Sequence, residues 1–192
     1  MIRQIGWDDF LNLRATLPVA DVRSPLEYAA GHMPVAKNIP LLNDEERMAV
    51  GTDYKEKGQR EAIRTGFGKV GPRLNEIVEA AEKEAKANEL IAHCWRGGMR
   101  SSFFGQFVGM VGINTFLLKG GYKTYRQQAQ VFFDRPYQTI LLSGCTGSGK
   151  TELLRGLKAQ GEQVVDLEGM ANHKGSAFGG LMMPPQPTTE QF

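Results

Sequence analysis

Residues 144–151, GCTGSGKT, constrain the fold of this chain more than any other stretch. They complete the pattern G-x-x-x-x-G-K-[ST] between an apolar run, TILLS, and an amphipathic run, TELLRGLKAQ, which reads as strand, glycine loop and helix. Gly144, Gly147 and Gly149 let the backbone turn its N–H groups toward an anion at the positive end of the helix. Ser148 belongs to the same phosphate-binding set, Lys150 reaches a terminal phosphate oxygen, and the Thr151 hydroxyl is the candidate ligand for Mg²⁺. The next apolar run, EQVVD, reads as a second strand ending in Asp166, and the tail after it is rich in glycine, proline and polar residues. A parallel sheet needs more strands than these two, so the chain is expected to stop inside this domain.

Upstream, strands alternate with helices. PVADVRS, AKNIPL, LIAHC and TFLLKGG read as strands; PLEYAAG, PRLNEIVEAAEKEAKANE, RSSFFGQFVGMVG and YKTYRQQAQVFFD read as helices, and the polar stretch 44–67 as helical in parts. The expectation is an α/β layer fold with a mainly parallel sheet. Pro136 and the charged pair before it break the rhythm, which places the first domain at 1–133, a linker at 134–138 and the phosphate-loop domain at 139–192.

Hydrophobic content of 41% and charged content of 23% are those of a globular chain. No apolar run approaches the roughly 20 residues of a membrane span, and MIRQIGWDDF lacks the apolar core of a signal peptide, so a cytoplasmic location is expected and no membrane partner. The two cysteines, Cys94 and Cys145, each follow an apolar run in a glycine-rich setting and read as reduced thiols. Net charge is +2, but residues 94–158 hold 9 Lys/Arg against 2 Asp/Glu, which marks the segment where phosphate groups are held.

The stretch LIAHCWRGGMRSS, 90–102, carries the more decisive chemistry. A thiolate at a strand end, facing successive N–H groups and a helix N-terminus, is stabilised as an anion, and the same cradle binds an incoming oxyanion. Cys94 is the candidate nucleophile; Trp95, Arg96, Gly97, Gly98, Met99 and Arg100 form its loop, the glycines allowing it to wrap and the arginines supplying charge. These residues alone leave phosphorus, sulfur and selenium chemistry open.

DVRSPLEYAAGHMPVAKNIPL, with Asp21, Arg23, Glu27, Gly31, His32, Pro34, Ala36, Asn38 and Pro40, resembles the hallmark segment of rhodanese domains, and LKGGYKTYRQQ their closing strand, glycine pair and helix. Cys94 falls at the family's catalytic cysteine. The loop departs from that of common sulfurtransferases: five residues separate Cys94 from Arg100, a CX5R spacing that also resembles cysteine phosphatases built on this fold.

HCWRGGMRSS, followed by GCTGSGKT and DLEGMANHKGSAFG, resembles the bacterial tRNA 2-selenouridine synthase family over essentially the whole chain. That resemblance implies a transferase that replaces the sulfur of wobble 2-thiouridine in tRNA with selenium from selenophosphate, together with geranyl transfer from geranyl diphosphate. It implies no tightly bound cofactor, with Mg²⁺ possible at the phosphate loop. The alternatives are a rhodanese-fold cysteine phosphatase and a non-catalytic module, shortened at its second domain, that binds chalcogen or phosphate.

Other residues have plainer readings. His32 is a packing and turn residue, His93 orients the cysteine loop or merely ends its strand, Cys145 fills a free loop position, and Phe103 and Phe104 belong to the core; Trp95 is a candidate stacking surface, and His173 and Lys174 receive no role.

Overall fold

The computed structural model describes residues 1–145 and 147–192; Thr146, inside the glycine loop, lies outside the described residues. Two compact units emerge, Met1–Asp134 and Arg135–Phe192.

In the first unit the chain runs β1 (Ile2–Ile5), α1 (Trp7–Leu13), β2 (Val19–Asp21), α2 (Pro25–Ala30), β3 (Lys37–Asn38), α3 (Asp44–Glu56) and α4 (Gln59–Val70). After a 3-10 turn at Gly71–Arg73 come α5 (Leu74–Glu84), β4 (Glu89–His93), α6 (Met99–Met110), β5 (Asn114–Leu118) and α7 (Gly121–Phe133). The five strands form one sheet in the order β1-β5-β4-β2-β3, and every pairing is parallel.

Alternation along β4 shows why helices cover both faces. Leu90, Ala92 and the following Cys94 enter one core cluster, with Ile77 and Ala81 of α5 and Phe104 and Val108 of α6. Ile91 enters the other, with Phe10 of α1 and Tyr122 of α7. A strand buried on both faces reads as a continuous apolar run rather than an alternating one, and LIA is such a run.

Local signals fix the helix starts. Ser24 and Glu27 form a capping box at α2, and Asn43 and Glu46 form another at α3, with both reciprocal bonds at 2.8 Å. Each satisfies backbone N–H groups that the first turn leaves unpaired. Pro72, read as the start of a helix, sits in the 3-10 turn ahead of α5.

Two departures from the sequence reading stand out. β1 and α1 have no counterpart in the sequence pattern: β1 is an edge strand whose first three residues are exposed, so it carries almost no apolar pattern. Conversely, TILLS and EQVVD do not form strands. In the second unit the elements are α8 (Lys150–Ala159) and α9 (Leu167–Met170), and the two apolar runs form no ladder. Ile140 is 99% exposed and Leu141 86%. A helix closes its hydrogen bonds within itself, whereas a strand needs a neighbour, and none pairs with these runs among the described residues. No helix among the described residues is long and apolar enough to cross a membrane.

Candidate active site

The parallel register sets Asp21 of β2 beside His93 of β4 at the carboxyl edge of the sheet, where ligands of open α/β sheets bind. Cys94 is the next residue, and its side chain is buried. Its Sγ accepts the Gly98 backbone N–H at 3.2 Å and the Ser101 hydroxyl at 3.4 Å. Both donors sit at the start of α6, whose N-terminus therefore faces the sulfur.

The junction of β5 and α7 forms the loop's wall. Tyr122 N–H donates to the Cys94 carbonyl at 2.9 Å and Lys123 N–H to the Trp95 carbonyl at 3.0 Å. Gly120 and Gly121 both have positive φ, +73° and +58°. A Cβ on Gly121 would collide with the Cys94 carbonyl oxygen, and one on Gly97 would lie 2.6 Å from the Leu118 carbonyl oxygen. Backbones this close leave room only for glycine.

Beneath the loop lies a buried charged layer. The Arg23 guanidinium binds both carboxylate oxygens of Asp21, donates to the Gly31 carbonyl at 2.7 Å, and lies 3.9 Å over the Tyr122 ring and 5.7 Å from that of Trp95. Trp95 is thus packed on Tyr122 and Arg23 rather than standing free as a stacking surface. His93 is fully buried; its Nδ1 lies 3.4 Å from the Cys94 carbonyl, while Nε2, 3.9 Å from Asp21, has no hydrogen-bond partner among the described residues. Burial holds His93 below its ordinary pKa despite the Asp21 charge, so the ring is neutral. His32 stacks on Tyr28 with centroids 3.7 Å apart, a packing role.

Arg100 is engaged. Its two terminal nitrogens bind Glu27 in a two-pronged pair, Nη2 to Oε1 at 3.2 Å and Nη1 to Oε2 shorter still. Burial opposes both charges, yet the pair outweighs it: Arg100 is held above its ordinary pKa and Glu27 below. Arg96 is exposed and Met99 is 42% exposed. Glu27 and Ser101 were not singled out as partners of the site. The signals were present, Glu27 in the hallmark segment and Ser101 next to Arg100, but their pairing is visible only once the sheet edge is assembled.

Beside α6 opens an apolar cleft of about 100 Å³, lined by Leu41, Leu42, Phe67, Met99, Phe103 and Phe107 among others, with Arg100 at its wall. Phe104, by contrast, is in the core.

In the second unit Gly147 and Gly149 adopt positive φ, +81° and +79°, and α8 starts at Lys150 with Thr151 in its first turn. The Lys150 ammonium donates to the Gly144 and Cys145 carbonyls, each at 2.8 Å, and Ser148 N–H donates to the Cys145 carbonyl at 3.2 Å. Asp166 caps α9, accepting the Gly169 N–H at 2.9 Å. His173 Nδ1 accepts the Gly175 N–H at 3.1 Å, a local turn bond. Among the described residues no group of three or more His, Cys, Asp or Glu could hold a metal.

A buried thiol held by a backbone N–H and a hydroxyl at the edge of a parallel sheet lies within a domain of known family, and this chain belongs to it: the profile of the rhodanese-like domain matches residues 7–128. Residues 137–192 match a second profile, the AAA domain of tRNA 2-selenouridine synthase. The chain is similar to tRNA 2-selenouridine synthases from Hydrogenovibrio crunogenus, 42% identical over 96% of this chain and 53% of that protein, and from Marinobacter nauticus, 43% over 96% and 51%. It spans about half the length of the curated relatives it matches. Among solved structures, the N-terminal domain of a Clostridium difficile 630 protein described as ATP/GTP binding is similar over 65% of this chain and 97% of that one, with 35% identity and a TM-score of 0.59.

Proposed function

We propose that the chain carries the nucleophile of a tRNA 2-selenouridine synthase, Cys94, and that it acts on wobble 2-thiouridine with selenophosphate as the selenium donor. The observation that carries this reading is the thiol held between Gly98 N–H and the Ser101 hydroxyl at the head of α6. The relatives' names and the surplus of cationic residues in 94–158 support a polyanionic tRNA substrate.

Electron counting favours attack at the base. Selenium in selenophosphate is at the selenide level, so water cleaves the P–Se bond to give phosphate and hydroselenide without any redox change. Cys94 thiolate adds to C2 of the base, sulfur leaves, and hydroselenide then displaces the cysteine. Loading selenium onto the thiol as a perselenide would require an oxidant or expulsion of phosphite. The loop amides and Arg100 hold the selenophosphate oxyanion. Replacing Cys94 with Ser should lower selenium incorporation into tRNA, read by nucleoside mass spectrometry, at least 100-fold, while Cys145→Ser leaves it unchanged. Equal incorporation by the Cys94 variant would sink the assignment.

A second activity, geranyl transfer to the same sulfur from geranyl diphosphate, is favoured by the apolar cleft beside α6, whose phenylalanines suit an unsaturated hydrocarbon chain. A geranylated sulfur also leaves C2 more readily as a thiol. Phe103→Asp should abolish geranylation and spare selenation from a pre-geranylated tRNA. Gly144, Gly147, Ser148, Gly149 and Lys150 bind a diphosphate or a tRNA phosphate; Mg²⁺ there would rest on the Thr151 hydroxyl and the ligand's own oxygens.

A further inference from the structure

The Arg100 guanidinium closes the cysteine loop, yet both of its terminal nitrogens are given to a carboxylate of the same chain. We infer that Glu27 is a built-in competitor for the oxyanion of the Cys94 loop: an anion binds by taking Arg100 from Glu27, and the anion left after transfer is released as Glu27 takes Arg100 back. The inference rests on the reading above only in that the loop accepts an oxyanion.

Three features make Glu27 a competitor rather than a passive partner. Its carboxylate is fixed: Oε2 also accepts the Ser24 backbone N–H at 3.1 Å in the capping box of α2, so in an exchange the arginine moves and the acid stays. A carboxylate and a phosphate offer a guanidinium the same two-pronged geometry, so neither is excluded by shape. A second cation also stands ready, since Arg47 Nε lies 3.9 Å from the same Oε2 on a side chain that is 47% exposed. When Arg100 turns to an anion, Glu27 therefore keeps a counter-charge and is not left as a lone half-buried carboxylate, which would block the exchange. Arg96 is exposed and makes no such pair among the described residues, so the competition acts on Arg100 alone.

The consequence is a cradle tuned for turnover rather than affinity. A free arginine would hold inorganic phosphate and favour product inhibition; a paired one lets it go.

The test uses the 192-residue chain and inorganic phosphate as the probe. Alkylation of Cys94 by iodoacetamide is followed on the Cys94 peptide by mass spectrometry, with increasing phosphate as protectant. Glu27→Gln should lower the half-protecting phosphate concentration at least tenfold, and adding Arg100→Met should remove that gain. Equal protection in wild type and Glu27→Gln, or protection in neither, overturns the proposal. If the variant does not fold, the native chain still decides: the Glu27 side-chain carboxyl ¹³C resonance should shift over the same phosphate range that protects Cys94. Protection without that shift overturns it. Because the assay reads anion binding and not selenium transfer, a chain that shows the sharpened protection but whose Cys94 is dispensable for selenation would retire the synthase reading and keep this one.

Discussion

The molecule contains two glycine-rich loops, each placed after an apolar run and before a helix, and they are built to very different standards. The Cys94 loop leaves a strand paired on both sides, is walled by Gly120 and Gly121, and stands over a buried Asp21–Arg23 pair. The 144–151 loop precedes α8, but the run before it is exposed and unpaired, and Lys150 is bonded to carbonyls of its own loop. The comparison teaches that a loop motif fixes local backbone, the positive φ values and the helix start, while the surrounding sheet fixes its rigidity. Local hydrogen bonds suffice for the first; only non-local pairing supplies the second.

The most severe way to probe that difference is Gly121→Val. At φ +58° against the Cys94 carbonyl, a branched side chain should abolish cooperative unfolding of the first unit, whereas Gly147→Val, with open space around it, should leave that transition in place. Retention of a normal transition by Gly121→Val would break the claim that backbone contact builds the loop. Next in size, Ile91→Ala removes a fully buried side chain and should cost about 3 kcal/mol. Ile140→Ala, at an exposed site, should change stability by less than about 0.5 kcal/mol; chemical denaturation compares the two.

Lys150→Ala should weaken pyrophosphate binding roughly tenfold, about 1.4 kcal/mol, and leave the alkylation rate of Cys94 unchanged; calorimetry and mass spectrometry read the two outcomes. The smallest effect is a pH slope. His93 is buried neutral, so its folded pKa lies below the ordinary 6.5, and the unfolded chain takes up the proton first as pH falls. Stability from this residue is intact above pH 6.5 and is lost progressively below it. His93→Gln should flatten the loss between pH 7.5 and 5.5, and an unchanged slope would show that burial of the ring is not what the loop floor costs in acid.

Much of the first unit was legible because its signals are local or periodic. LIAHC reads as a strand, PLEYAAG as a short helix, and the glycines around Cys94 as a loop free to wrap, and all three are found. β1 was not legible, since an edge strand with polar residues on its exposed side has no pattern to read. The strands expected at TILLS and EQVVD failed for the opposite reason: apolar content was present, but pairing partners are a property of the sheet and not of the run. At the site, residue identities were legible and allegiances were not. Arg100 was recognisable as an anion-binding residue, but its attachment to Glu27, 73 positions away, required the fold.

The packing of Trp95 also gives the molecule an optical handle. Both tryptophans, Trp7 and Trp95, lie in the first unit, so indole emission follows that unit's unfolding. Trp95 directly follows the candidate nucleophile and rests against Tyr122 and the Arg23 guanidinium. A selenium-bearing ligand bound at the loop would quench that fluorophore, so loop occupancy can be timed by stopped flow in the unlabelled protein.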